Sequence, residues 1–344
     1  TGPFGTRLFR IAFALAGAYN LAFGLWAGFR PLEFFRIFEI EPPRYPGIWA
    51  CLGMVVGVYG LLYWHAAWKL ETGRPIIAIG LLGKVLGPIG MLLTFSADWP
   101  RRLGMLCVYN DLIWWLPFGL FLLRGTRYAP RLERLAPWCC AGLHVAAMAA
   151  MALFLRHGML TVPDVVERAT YVGEHVTAWT LGWSLWMASA VSLVGFYAWW
   201  GCRLRATGAA TIGVVLAALG VVCDLSGESL SALVLVEQAL ALLGQTTGAV
   251  WDIGDYQSIE RVATLLTAGG ANTLYTLGGL LLMLTTPGLP PVMRVAMWIT
   301  WFAGFGMTIG GLIDSVPLMV VTTAVLFPLF VAWTVWMAVR WREE

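Results

Sequence analysis

Apolar runs of about 20 residues recur from one end of this chain to the other, and a helix rising ~1.5 Å per residue needs that length to cross ~30 Å of hydrocarbon. No other feature narrows the fold as far. Inside a bilayer every backbone amide must be bonded within the protein, so the runs are read as membrane-spanning helices. Ten are expected, at about residues 7–29, 47–69, 74–96, 103–123, 135–155, 176–200, 208–232, 260–286, 291–313 and 316–339. Composition agrees: 12% of residues are charged, against ~25% in soluble domains, and no stretch of ordinary soluble-domain size is left over. The run Leu8 to Phe29 is too long for the apolar part of a secretory signal and is read as a retained span. The expected fold class is an all-α, polytopic transmembrane helical bundle.

Orientation follows from the basic residues, which are retained on the cytoplasmic side. With the N-terminus inside, inner segments hold 13 Lys or Arg and outer segments 8, with Lys84 in mid-span completing the 22; acidic residues divide 4 inside and 12 outside. Both termini are therefore expected in the cytoplasm, as an even number of spans requires.

The connections suggest an organisation. Residues 1–123 form a four-span bundle, 124–134 a basic cytoplasmic linker with Arg124, Arg127, Arg131 and Arg134, and 135–344 a six-span bundle. In the first outer connection the amphipathic, aromatic stretch at 31–40 is expected to form a short interfacial helix, either a membrane-surface anchor or a lid. PDVVERATYVGEH is expected to form one short surface helix, and the seventh span to continue beyond the bilayer until WDIGDYQS, with its Asp and Gly, makes a turn. Tryptophans near span ends, including Trp99, Trp199, Trp200, Trp251, Trp336 and Trp341, are expected in interface belts, while Trp114 and Trp115 lie too deep and should pack inside. The six cysteines have no C-x-x-C spacing and read as small buried hydrophobes.

Two constellations can carry chemistry. The hairpin from Arg74 to Leu123 places Lys84 and Asp111 at membrane depth, where a charge costs at least ~2.5–3.5 kcal/mol. Pro88 deprives the Lys84 carbonyl of its helical partner and Pro117 does the same to Ile113, while Asn110 adds an amide beside Asp111. The two backbones differ in depth by ~6 Å, so a Lys84–Asp111 pair requires the lysine stem to bend toward the turn at Ala97 to Arg102. Either such a pair fixes the hairpin, or the three polar groups form a ligand or proton site. The second constellation is Asp224 and Glu228, four residues apart on one helix face; two close carboxylates in low dielectric tend to share a proton. Asn272, Thr273 and Tyr275 on the eighth span are candidates to complete that polar interior; alternatively the carboxylates simply approach the outer headgroups.

The four histidines stand singly on their segments, so haem ligation is not expected, and no Glu-x-x-His pair, P-loop, G-x-S-x-G or H-E-x-x-H occurs. No metal site, catalytic residue or nucleic-acid partner is assigned.

AYNLAFGLWAGFRP in the first span, GIWACLGMVVGVYGLLY in the second and GLLGKVLGPIG before NDLIWW resemble the DoxX-type four-helix membrane proteins, over about residues 7–123. That resemblance implies an association with quinone-linked membrane oxidoreductases, often as an accessory subunit. Three functions are thus expected as alternatives. One is an intramembrane polar cavity near Lys84, Asn110 and Asp111 that binds a lipophilic or small molecule, of the quinone or isoprenoid-lipid class, within a redox or proton-handling system. Another is a non-catalytic subunit in contact with other membrane subunits, and the last a proton-coupled transporter using Asp224 and Glu228. Membrane lipid is the expected partner, and a bacterial inner (cytoplasmic) membrane the expected location.

Overall fold

The computed structural model describes residues 3–94, 100–124, 126, 129–204, 207–245 and 251–340. The expected turn residues Ala97 to Trp99, Arg127 of the basic connection and Trp341 lie outside them. Among the described residues there is no strand, and ten helical stretches are long and apolar enough to cross a membrane. The protein is a polytopic, all-α helical membrane protein. It divides into two compact units, Thr1–Ala129 and Pro130–Glu344.

The first unit comprises α1 (Pro3–Phe29), α2 (Glu33–Ile37), α3 (Pro46–Trp68), α4 (Arg74–Thr94), α5 (Gly104–Leu106) and α6 (Ile113–Leu123). A π-helical turn, Cys107–Leu112, joins α5 to α6 within the fourth span. Helices α1 and α3 run against each other along their length because small residues face one another: a Cβ on Gly24 would stand 2.6 Å from the Gly57 Cα. Phe13, Phe118 and Phe121 pack edge to face beside them, with Tyr63 against Phe118. The short interfacial helix forms as α2. Phe34 is buried against Trp49, their ring centroids 4.4 Å apart; Trp26 donates to Glu33 at 2.9 Å and Arg102 to Glu39 at 2.6 Å. These ties hold the segment down at both ends.

The second unit comprises α7 (Ala129–Ala150), α8 (Val165–Glu174), α9 (Val176–Gly201), α10 (Thr207–Ser229), α11 (Leu235–Leu242), α12 (Ile253–Thr264), α13 (Asn272–Thr285), α14 (Pro291–Leu312) and α15 (Val316–Arg340). The π-helical segments Leu230–Val234 and Leu265–Ala271 make α10–α11 and α12–α13 continuous. These two stretches run 35 and 33 residues, or roughly 50 Å each, so each exceeds the bilayer by ~20 Å. WDIGDYQS is therefore no simple turn. The Asp252 side chain accepts from the Asp255 amide at 2.9 Å and caps α12, which starts the eighth span at Ile253 instead of near residue 260.

The excess length builds a cap with a core of its own. Helix α8, itself capped by Asp164, buries Val165, Ala169 and Val172 in a cluster with Trp179, Val236, Ala239 and Tyr256. Into this cap the sequence PDVVERATYVGEH delivers Arg168, whose Nε donates to Glu260 Oε1 at 2.8 Å and Nη2 to Oε2 at 2.5 Å. Nη1 donates to the carbonyls of Val162 and Pro163. Burial alone would lower the Arg168 pKa, but the Glu260 hydrogen bonds and charge outweigh it and hold the guanidinium above its ordinary value. A raised pKa means the stability it contributes is complete below the ordinary arginine range and is lost only as pH rises through the folded value.

Some placements differ from the expectation. Trp199 and Trp200 are 5% and 0% exposed: Trp200 stacks among Phe196 and Trp333 and donates to Thr286 Oγ1 at 2.8 Å, so both belong to the core and not to a belt. Trp115, expected inside, is partly exposed because only its indole nitrogen is needed by a neighbouring helix. Cys51, Cys139 and Cys202 are exposed; Cys140 is buried.

Candidate functional site

Each unit holds a cluster of ionisable groups among its apolar helices. In the first, α4 presents Lys84 and the π-helical turn presents Asn110 and Asp111; Lys84 and Asp111 are each 5% exposed. The carbonyl of Lys84 that Pro88 leaves without a helical donor is taken by Trp115, whose Nε1 donates to it at 3.1 Å. Lys84 Nζ donates to the main-chain carbonyl of Asn110 and lies 5.8 Å from the centre of the Trp114 ring. The Asn110 side-chain amide in turn donates to Asp111 Oδ1 at 2.9 Å. The other carboxylate oxygen fits over bare backbone, since a Cβ on Gly87 would stand 2.7 Å from it.

No direct Lys84–Asp111 hydrogen bond or ion pair forms among the described residues; Asn110 lies between them, its main chain on the amine and its side chain on the carboxylate. The physical reason is depth. The lysine sits further from the turn, and its amine meets a main-chain carbonyl of the π-helical segment instead of the carboxylate. Because the charges compensate each other, Lys84→Met or Asp111→Asn alone should lower the thermal unfolding temperature in detergent more than the double variant does. The expected coupling is about 0.5–3 kcal/mol, and additive losses would contradict it.

In the second unit Asp224 and Glu228 share one face of α10, as their spacing predicts. Tyr275, on α13, donates its hydroxyl to Asp224 Oδ2 at 3.0 Å, and Gly220 makes room for the ring: a Cβ there would stand 2.6 Å from it. Tyr197 from α9 fixes this region of α13 by donating to the Tyr275 carbonyl at 3.0 Å. Glu228 is 2% exposed and its Oε2 has no hydrogen-bond partner; the neighbouring Ser229 hydroxyl, fully buried, has none either. Among the described residues no lysine, arginine or histidine pairs with Asp224 or Glu228. The π-helical segments Leu230–Val234 and Leu265–Ala271 begin and end beside the cluster on the two facing helices. Such π segments disturb the regular ladder of helical bonds and recur at functional sites.

Asn272 and Thr273 do not join the carboxylates. Asn272 Nδ2 donates to the Gly304 carbonyl at 2.6 Å and to Thr308 Oγ1 at 3.0 Å, and Thr273 shares the same Thr308 hydroxyl. Both face α14, three and two residues before Tyr275, and act as an interhelical staple. The residues the sequence reading overlooks are Arg168, Glu260 and Tyr197. Their partners lie 92, 92 and 78 residues away, so only the amphipathic character of α8 hinted at a buried face.

No protein-family model matches the chain, and neither a curated protein nor a solved structure matches it.

Proposed function

We propose that this integral membrane protein takes up and releases protons at the Asp224–Glu228 pair, and that the exchange drives the movement or turnover of a small molecule, as in a proton-coupled transporter. The observation that carries this reading is Glu228: a buried carboxylate with an unpartnered oxygen, one helical turn from a second carboxylate and without a cation. Two such groups cannot both remain ionised at low cost in a low dielectric, so they bind protons as a unit. Tyr275 supplies the hydroxyl that donates to Asp224 when that group is ionised. Reconstitution into liposomes with an internal pH-sensitive dye tests it. An imposed gradient should dissipate faster with the protein than without, and equal rates with correctly inserted protein would refute it.

A second reading concerns the first unit: a lipophilic ligand of the quinone or isoprenoid class held at Lys84, Asn110 and Asp111. It is supported by the Lys84 amine of α4 meeting the amide and carboxylate of one π-helical turn beside Trp114, and by the DoxX-type resemblance of about residues 7–123, which also suits an accessory-subunit role. Natively purified Lys84→Met/Asp111→Asn protein should lose any co-purifying quinone or isoprenoid found in the parent. Undiminished content in a folded double variant would dismiss the site.

A further inference from the structure

In the first unit, a cleft of about 380 Å³ opens between α2 and the start of α3, a size within the ~300–1,000 Å³ usual for small-ligand sites. Spans α1 and α3 end and begin at Phe29 and Pro46, so the cleft lies at the bilayer interface. Its walls divide by chemistry. Phe35, Ile48, Trp49 and Leu52 are apolar, and Ile48 and Leu52 are 69% and 54% exposed, continuing as a lipid-facing surface down α3. At the mouth stand Glu41 and Arg44, three residues apart across Pro42 and Pro43, whose rings each lock φ and so limit the backbone between the two charges.

These opposite charges do not pair with each other or with any described residue; the neighbour Arg44 has is the Tyr45 ring, 5.7 Å from the guanidinium carbon to its centre. The helix α2 that precedes them is tied down by the Glu39–Arg102 and Glu33–Trp26 contacts. The Trp49 indole nitrogen, buried in the same wall, has no hydrogen-bond partner. One cation and one anion at the mouth, above an apolar wall, complement a zwitterion with a hydrocarbon tail.

We propose that this cleft binds a zwitterionic aminophospholipid such as phosphatidylethanolamine, its phosphate on Arg44 and Tyr45, its primary ammonium on Glu41 and one acyl chain along Ile48 and Leu52. A primary ammonium donates hydrogen bonds to a carboxylate, which a quaternary choline cannot, and a guanidinium matches phosphate geometry.

Native mass spectrometry of the delipidated full chain tests the assignment, using an equimolar mixture of phosphatidylethanolamine, phosphatidylcholine and phosphatidylglycerol with identical acyl chains. Retention of the ethanolamine lipid should exceed that of either competitor about fivefold. Glu41→Gln should reduce it to the choline level without changing choline retention, and Arg44→Gln should weaken both. Both side chains are exposed on a loop, and an unchanged thermal unfolding temperature verifies that the variants fold. Equal retention of the three lipids, a preference for the glycerol lipid, or an ethanolamine preference that survives both substitutions would overturn the proposal. Displacement of the bound lipid by soluble phosphoethanolamine at equal concentration would also overturn it, because the apolar wall would then contribute nothing.

Discussion

Arg168→Ala should destabilise the Pro130–Glu344 unit by about 3–5 kcal/mol, the largest stability loss expected of any single substitution outside the spans. The Arg168 and Glu260 side chains are 5% and 7% exposed and meet through two parallel hydrogen bonds, while the remaining guanidinium nitrogen closes the turn before α8. Removing the arginine leaves the buried Glu260 carboxyl without its partner and frees two carbonyls. The loss is one of unpaired burial and not of attraction, and this has a consequence that can be measured. The apolar double variant Arg168→Met/Glu260→Met should recover most of the stability, since well-packed hydrophobic residues often replace a buried pair at little cost. Thermal or denaturant unfolding in detergent gives both values; a double variant as unstable as Arg168→Ala would show that the geometry of the pair itself holds the cap.

The second large effect concerns transport. Glu228→Gln and Asp224→Asn should each lower the proton flux in liposomes by at least ~10²-fold, the scale on which a positioned proton-transfer group contributes. The amides keep the shape and most hydrogen-bonding capacity, so folding is preserved while exchange is not. Tyr275→Phe removes the hydroxyl 3.0 Å from Asp224 but neither carboxylate, and should cost about tenfold. If the pair binds protons as a unit, the double Asp224→Asn/Glu228→Gln variant should be no worse than either single one. Losses that multiply in the double variant would assign the residues to separate steps.

The spans and the polar clusters are legible in the sequence for different reasons. Hydropathy reports the span from Pro46 to Trp68 because its length and apolar composition carry the signal by themselves, and the i, i+4 spacing places Asp224 and Glu228 on one face whatever packs nearby. Likewise Pro88 announces a free carbonyl at Lys84, though not that Trp115 would reach across to fill it. What stays hidden depends on contacts distant in the chain. Hydropathy cannot tell that Trp200, at a span end, turns inward to Thr286, nor that Asn272, three residues before Tyr275, selects Gly304 and Thr308 over the carboxylates. The start of α12 is missed because an Asp-Gly-rich stretch serves equally as a turn or as a helix cap, and only the Asp252–Asp255 bond decides between them.

The claim that Asp224 and Glu228 bind protons as a pair is tested most directly by pH-difference infrared spectroscopy of the reconstituted protein. A protonated carboxyl carbonyl band should appear and vanish reversibly with pH, shift in deuterium oxide, and be lost in both Asp224→Asn and Glu228→Gln. A spectrum without such a band, or one unchanged by the two substitutions, would contradict the account.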